Sequence, residues 1–166
     1  MEYGDVFIAL AEIGVAIAGF SGIVAVFGTR SAGQWTPDDR LRLAFLLVCS
    51  LTVVFFSLLP FAISALHLSA TVLWRAASGL LAIWLVLADI VAFRRIGRVR
   101  HEFQSDSRRW LKALVRAGDA ASVVLLTYNV IWMAEVGLFL LALLWLLLQS
   151  VVMFVELLGF TAGRAV

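Results

Sequence analysis

Long apolar runs restrict the fold of this 166-residue chain more than any other feature of its sequence. The run from Leu43 to Leu66 contains no charged residue, and the run from Val6 to Gly28 is interrupted only by Glu12. A transmembrane helix needs about 20 mainly apolar residues to cross a hydrocarbon core roughly 30 Å thick. Charged residues make up 14% of the chain, whereas soluble domains have about a quarter. The sequence therefore predicts an all-α, polytopic transmembrane helical bundle.

The number of spans depends on the last apolar stretch, from Ala120 to Phe160. One helix of that length is about twice as long as the hydrocarbon core is thick, so the stretch must break. The segment from Met133 to Gly137 combines the charge of Glu135 with a helix-weakening glycine. An alternative has four spans, with residues 110–133 as an interfacial or re-entrant piece. We expect a single transmembrane domain, 1–166, with five spans over residues 6–28, 43–66, 76–93, 114–133 and 138–160.

Lysine and arginine indicate the orientation, because cytoplasmic loops carry an excess of them. Eight of the 13 lie between Arg94 and Arg116, which predicts a basic cytoplasmic loop over residues 94–113. Arg75 is the basic residue expected on the opposite side, and the N-terminus is expected outside. Thr36 to Asp39 (TPDD) is typical of a helix start. The acidic first residues do not resemble a secretory signal, so the first run is expected to stay in the mature protein.

The basic loop allows two interpretations. Its apolar residues recur at helical spacing between the basic ones, as in a short amphipathic helix that binds anionic lipid. The simpler interpretation is that the basic residues only keep this loop on the cytoplasmic side of the membrane. The candidate residues for contact with the lipid surface are Arg108, Arg109, Lys112 and Arg116.

The first span is rich in glycine and alanine. Small residues recur along one side of it every three or four positions, a pattern that lets membrane helices approach closely. Glu12, Ala16, Gly19 and Ile23 form an adjacent stripe. We expect this helix to be central, covered by helices of the same chain or of a partner chain, with spans two and five as hydrophobic wall. The predicted packing seam comprises Ala11, Gly14, Ala18, Gly22 and Ala25.

Glu12 is the most unusual residue of the first span, because it lies about 10 Å inside the outer end. An ionisable group at this depth is costly, and it usually pairs or faces water. In a five-span layout we expect other polar groups at similar depth, including a carbonyl freed by a proline. Two interpretations stay open: an ion or proton site, or a protonated Glu12 that ties helices together. The candidate polar site comprises Glu12, Tyr128, Asn129, Ser78 and Pro60.

A second group of charges lies at the cytoplasmic end of span three. Asp89 is about one helical turn from Arg94 and Arg95, so an ion pair between them is expected. Asp119 and Arg116 are expected to form a similar pair at the start of span four.

Catalytic and metal chemistry is not expected from this sequence. Residues 19–22 have the GxSG pattern of rhomboid intramembrane proteases, which need a histidine beside the serine. His67 is expected across the membrane from Ser21, and His101 lies in the basic loop. One cysteine, Cys49, and two distant histidines do not make a metal site. We expect no enzyme, no metal, no cofactor and no nucleic-acid partner.

Part of the sequence resembles a known group of proteins. The segments Ala11-Glu12-Ile13 and AGFSGIVA over residues 18–25, followed by Trp35-Thr36-Pro37 and DRLRL over 39–43, are similar to small bacterial multi-span inner-membrane proteins of uncharacterised function. The resemblance covers mainly the first third of the chain. It implies a bacterial inner-membrane location and no particular activity.

The sequence thus leads to two functional hypotheses. The first is a non-catalytic integral membrane protein, homo-oligomeric through its first helix, that acts as a scaffold, accessory subunit or effector. The second is an oligomeric ion or proton channel, or a small transporter, that uses Glu12. The expected partners are the lipid bilayer, further copies of the chain and, at the basic loop, anionic lipid.

Overall fold

The computed structural model describes residues 3–27, 37–98 and 109–162, and all of its long elements are helices. In chain order they are α1 (Gly4–Phe27), α2 (Pro37–Ser64), α3 (Ala70–Arg98), α4 (Arg109–Tyr128) and α5 (Val136–Ala162). A five-residue π-helical turn, Asn129–Met133, follows α4 directly. Each of the five helices is long and apolar enough to cross a membrane. The protein is therefore an all-α polytopic membrane protein, and the predicted span count is confirmed.

The helix bounds differ from the predicted spans at several ends. The third helix begins at Ala70, six residues before the predicted span, because Ser69 accepts the backbone N–H of Val72 through its hydroxyl at 3.4 Å and starts the helix earlier. The second helix begins at Pro37 as the TPDD segment predicts, although Thr36 lies outside the described residues. Within the predicted basic loop, α3 continues to Arg98 and α4 already begins at Arg109.

The helices divide into two compact units. The first comprises Met1–Ala62 and Leu143–Val166, and thus contains α1, most of α2 and most of α5. The second is Ile63–Ala142, with α3, α4, the π-helical turn and the first residues of α5.

Close contact between α1 and α2 organises the first unit. A Cβ atom at Gly14 would lie 2.9 Å from Val54 Cγ2 and 3.0 Å from the Ser50 carbonyl oxygen. Near the start of α1, the fully buried ring of Phe7 meets Phe61 edge-on, with centroids 6.4 Å apart. The missing side chain at Gly14 therefore lets the two backbones approach, as small residues do in membrane helices.

Contacts between α2 and α5 repeat at intervals of seven residues. Arg42 pairs with Glu156 at 3.9 Å, and the Cys49 thiol approaches Gln149 Oε1 at 3.7 Å. Seven residues are two turns of a helix, so such an interval keeps the same two faces together along antiparallel helices. These polar contacts fix the register of α5 against α2 in the first unit.

The second unit packs α3 against α4 and the π-helical turn. Leu73, Ala77, Leu81 and Leu85 of α3 are all buried, at the four-residue interval expected for one helix face. Leu126 of α4 is fully buried as well. The ring of Trp74 packs on Phe139, with centroids 6.0 Å apart, and thereby holds the start of α5 against α3.

Helices of the same chain do not make α1 the central helix, and the expectation that spans two and five form the wall is wrong within this chain. The span of α1 is 28% buried, whereas the spans of α2 and α5 are 44% and 39% buried. The physical reason is that serine, threonine and cysteine side chains in α2, together with Gln149 and Ser150 in α5, are turned inward with their apolar neighbours. Small residues in α1 leave much of that helix uncovered.

Candidate functional site

The break between α4 and α5 is built on the side chain of Asn129, which is fully buried. Its Nδ2 donates to the Glu135 carbonyl oxygen at 2.8 Å, and its Oδ1 accepts the Glu135 N–H at 2.8 Å. Ala134 is left-handed, with φ 56° and ψ 41°, and its N–H donates to the Asn129 carbonyl oxygen. Asn129 thus replaces backbone hydrogen bonds that are lost where the helix stops.

Helix α3 completes this cluster around the break. Asn129 Nδ2 also donates to Ser78 Oγ at 2.9 Å, and both side chains are fully buried. Arg75, one turn earlier on α3, donates from Nη2 to the Ile131 carbonyl oxygen at 3.3 Å. An unpaired carbonyl in an apolar environment is costly, so Arg75 stabilises the irregular turn. In this unit Asn129 and Ser78 support the break between α4 and α5.

The position of the break agrees with the predicted segment, but its mechanism differs. Gly137 was expected to weaken the helix, yet it lies inside α5, and the described glycines have no positive φ. The left-handed residue is Ala134 instead. An L-residue other than glycine pays about 1–2 kcal/mol for this conformation, and the three hydrogen bonds of Asn129 offset that cost. Tyr128 is exposed, and its ring packs on Trp132 rather than joining the cluster.

Glu12 lies on an exposed side of α1. We define the α1 open face as Glu12, Ala16, Gly19 and Ile23, all of which are exposed. Among the residues that the structure describes, Glu12 has no hydrogen bond and no ion pair. Glu12 therefore belongs to a surface of the first unit, whereas Asn129 and Ser78 belong to the core of the second.

The predicted packing seam of α1 is split into two parts. Ala11 and Gly14 are buried, and Gly14 contacts α2. Ala18, Gly22 and Ala25 are only half-buried. A Cβ atom added at Gly22 or Gly19 would meet nothing within 4 Å. The first part of the seam packs within the chain, and the second part leaves room for another backbone.

Pro60 and several serine residues of the first unit face its interior. Pro60 is buried in α2, and the hydroxyls of Ser50 and Ser57 are buried without a hydrogen-bond partner among the described residues. Ser21, from the GxSG segment, is fully buried, and its hydroxyl donates to the Ala18 carbonyl oxygen of its own helix at 2.7 Å. The Ser21 hydroxyl is thus held by a backbone carbonyl of α1.

The predicted ion pair of Asp89 is not formed with Arg94, which is exposed and makes no ion pair with a described residue. The side chain of Arg95 lies outside the described residues. Asp89 interacts electrostatically with Asp119 and Arg116 of α4 instead. The reason is that α4 packs beside α3, which the spacing of residues along α3 does not reveal.

The candidate lipid-binding residues lie around the start of α4. Arg108 is outside the described residues, and the side chains of Arg109 and Lys112 are not described although both belong to the helix. Arg116 is exposed. The basic turns are continuous with the fourth candidate span, which runs from Ala113 to Met133, and do not form a separate helix.

Sequence reasoning missed several partners that the structure brings together. The clearest cases are the hydrogen bond from Arg75 to the Ile131 carbonyl oxygen and the contact of the Cys49 thiol with Gln149. The sequence does contain a pattern that indicates the contact of Cys49 with Gln149. Arg42 and Cys49 are seven residues apart in α2, and Gln149 and Glu156 have the same spacing in α5. Within the described ranges, no group of three or more histidine, cysteine, aspartate or glutamate side chains is placed to hold a metal ion.

The comparisons with known proteins add no functional assignment. No family model, no curated protein and no solved structure matches this chain.

Proposed function

We propose that this protein is a non-catalytic integral membrane protein that acts by self-association, as a scaffold, accessory subunit or effector. The observation that carries the proposal is the α1 open face, which presents a carboxylate and an uncovered glycine in the middle of a candidate span. An ionisable side chain directed at lipid is costly. A neighbouring chain that offers Glu12 a hydrogen-bond or charge partner lowers that cost.

The shape of α1 supports close contact with another helix. Gly19 and Gly22 leave open space where a Cβ would lie, and membrane helices associate by van der Waals packing over such small residues. Exposed Val15, Phe20 and Ile23 flank them with apolar side chains. The surface therefore combines close backbone approach with a polar group that a partner can satisfy.

Replacing Gly22 with leucine is expected to weaken the assembly, because the new side chain fills the space that a second backbone would occupy. Oligomeric mass in detergent and in lipid nanodiscs, measured by light scattering, should fall from multiples of 18.2 kDa toward the single chain. Gly137→Leu is the matched control, since that glycine is also open but lies on α5. An unchanged mass for Gly22→Leu counts against association through α1.

A second candidate is an oligomeric ion or proton channel, or a small transporter, that uses Glu12. The observation in its favour is that no described residue satisfies the Glu12 carboxylate, so an assembly that encloses α1 could direct it into a central water path.

Proton and cation flux into liposomes tests the channel hypothesis. A channel predicts flux for the wild-type protein and at least a tenfold loss for Glu12→Gln, because the neutral amide no longer attracts a cation. Asp5→Gln is the control, since Asp5 is an exposed acid in the first turn of the same helix. If liposomes that contain the wild-type protein show no flux under any imposed gradient, the channel hypothesis is contradicted.

We also propose a location in the bacterial inner membrane with the N-terminus outside. The support is the positive-inside rule, since 12 of the 13 lysine and arginine residues, all except Arg75, fall on one side when five spans alternate. The resemblance of the first helix to small bacterial inner-membrane proteins points to the same location. Anionic lipid at the basic start of α4 remains part of this proposal.

A further inference from the structure

We propose that Arg75 of one copy of the chain is the counter-charge of Glu12 in another copy. This inference rests on the self-association proposed above and names the residues that make the contact between subunits. It starts from the rule that an ionisable group within a membrane span usually pairs or faces water.

Glu12 has the capacity for such a contact. A carboxylate accepts several hydrogen bonds and receives the two parallel donors of an arginine in one plane. Among the described residues, nothing donates to Glu12. It is exposed, eight residues after the start of α1, which places it about 12 Å along the helix.

Arg75 has unused donors at a comparable depth. It is exposed and lies five residues after the start of α3, about 7.5 Å along that helix. The guanidinium carries five N–H donors, and its hydrogen bond among the described residues is the 3.3 Å contact with the Ile131 carbonyl oxygen. Arg75 makes no ion pair with a described carboxylate, although Glu135 is also exposed near the break.

Topology limits the choice of partner. If every helix crosses the bilayer, two crossings separate the starts of α1 and α3, so both helices begin on the same side. The other 12 lysine and arginine residues lie in the first turns of α2 or α4, in the last turns of α3, or in the segments that follow α1, α3 and α5. They therefore lie at the opposite side. Arg75 is therefore the one lysine or arginine on the side where α1 begins, which gives a second copy the complementary charge.

Charge reversal tests the pair. Glu12→Arg alone places two arginines at each contact, and Arg75→Glu alone places two carboxylates there. Each variant is expected to fall to the mass of the single chain in nanodiscs, at least a tenfold loss of the assembled fraction. Asp5→Arg and Glu135→Gln, which alter neighbouring exposed acids, are expected to assemble like the wild type.

Mixing the two variants distinguishes a contact between copies from a contact within one chain. When Glu12→Arg and Arg75→Glu carry different tags and are co-expressed, every contact between unlike copies again joins an arginine to a glutamate. Co-purification of the two tags in assemblies of wild-type mass is the expected result, and it also shows that both variants fold. An absence of mixed assemblies overturns the proposal if the wild type assembles.

Disulfide trapping provides a measurement that does not depend on charge reversal. In a Cys49→Ser background, Glu12→Cys and Arg75→Cys chains with different tags are oxidised together in native membranes. A disulfide between the two kinds of chain supports the pair. Disulfides only between two Glu12→Cys chains indicate a symmetric α1 contact, and they overturn the Arg75 assignment while leaving self-association intact. A wild type that is a single chain throughout refutes the assembly itself.

Discussion

Asn129→Leu is expected to destabilise the protein by about 2–4 kcal/mol, the largest effect we expect from a single polar substitution. The leucine has a similar size but leaves the Glu135 N–H and carbonyl and the Ser78 hydroxyl without their partner. A buried polar group left unpaired costs about 1–3 kcal/mol. The left-handed Ala134 loses its support at the same time, so the break itself is weakened.

The free energy of unfolding, measured by denaturant titration in detergent micelles with tryptophan fluorescence, checks this result. Thr127→Val is the matched control, because Thr127 is exposed and its hydroxyl bonds to the Val123 carbonyl oxygen of its own helix. That control is expected to change stability by less than about 0.5 kcal/mol. An Asn129→Leu variant as stable as Thr127→Val contradicts the role assigned to Asn129.

Gly14→Leu is expected to destabilise the first unit by about 3 kcal/mol or more. The Cβ alone would lie 3.0 Å from the Ser50 carbonyl oxygen and 2.9 Å from Val54 Cγ2. The Val54 methyl can rotate, but a backbone oxygen cannot move without shifting α2. Inserting side-chain atoms into a packed contact costs about 1–3 kcal/mol, and more where the backbone must shift.

The same unfolding measurement applies, with two leucine controls at open glycines. A Cβ atom added at Gly137 meets no atom within 4 Å. The change to leucine also removes a poor helix former, so Gly137→Leu is expected to be neutral or to stabilise by up to about 1 kcal/mol. Gly22→Leu is open as well and is expected to change assembly rather than unfolding. Equal stability of the Gly14→Leu and Gly137→Leu variants would show that α1 does not pack on α2 through Gly14.

These glycines show where sequence reasoning stops. Gly14 and Gly22 lie on one stripe of α1, and the spacing of small residues treats them alike. The structure separates them, because Gly14 contacts Ser50 and Val54 while Gly22 contacts nothing within 4 Å of its missing Cβ. Which small residues of the seam contact another helix depends on where and at what angle the two helices cross. The spacing of residues along one helix does not give that geometry.

The charged residues lead to the same conclusion. Asp89 lies one turn from Arg94 along the sequence, yet its electrostatic neighbours are Asp119 and Arg116 on α4. Neighbours along one helix are readable from spacing. Neighbours on another helix depend on which faces of α3 and α4 meet.

The sequence by itself determined that this protein is a helical membrane protein and that its last apolar stretch divides between Met133 and Gly137, and it favoured the five spans over four. These properties follow from local length and hydropathy, because backbone hydrogen bonds in lipid must be satisfied within each helix. Only the tertiary structure decided that Asn129 and Ser78 support the break, that α2 is more buried than α1 and that Glu12 lies on an open face. Such contacts join residues that are distant along the chain, and they form only when the helices pack.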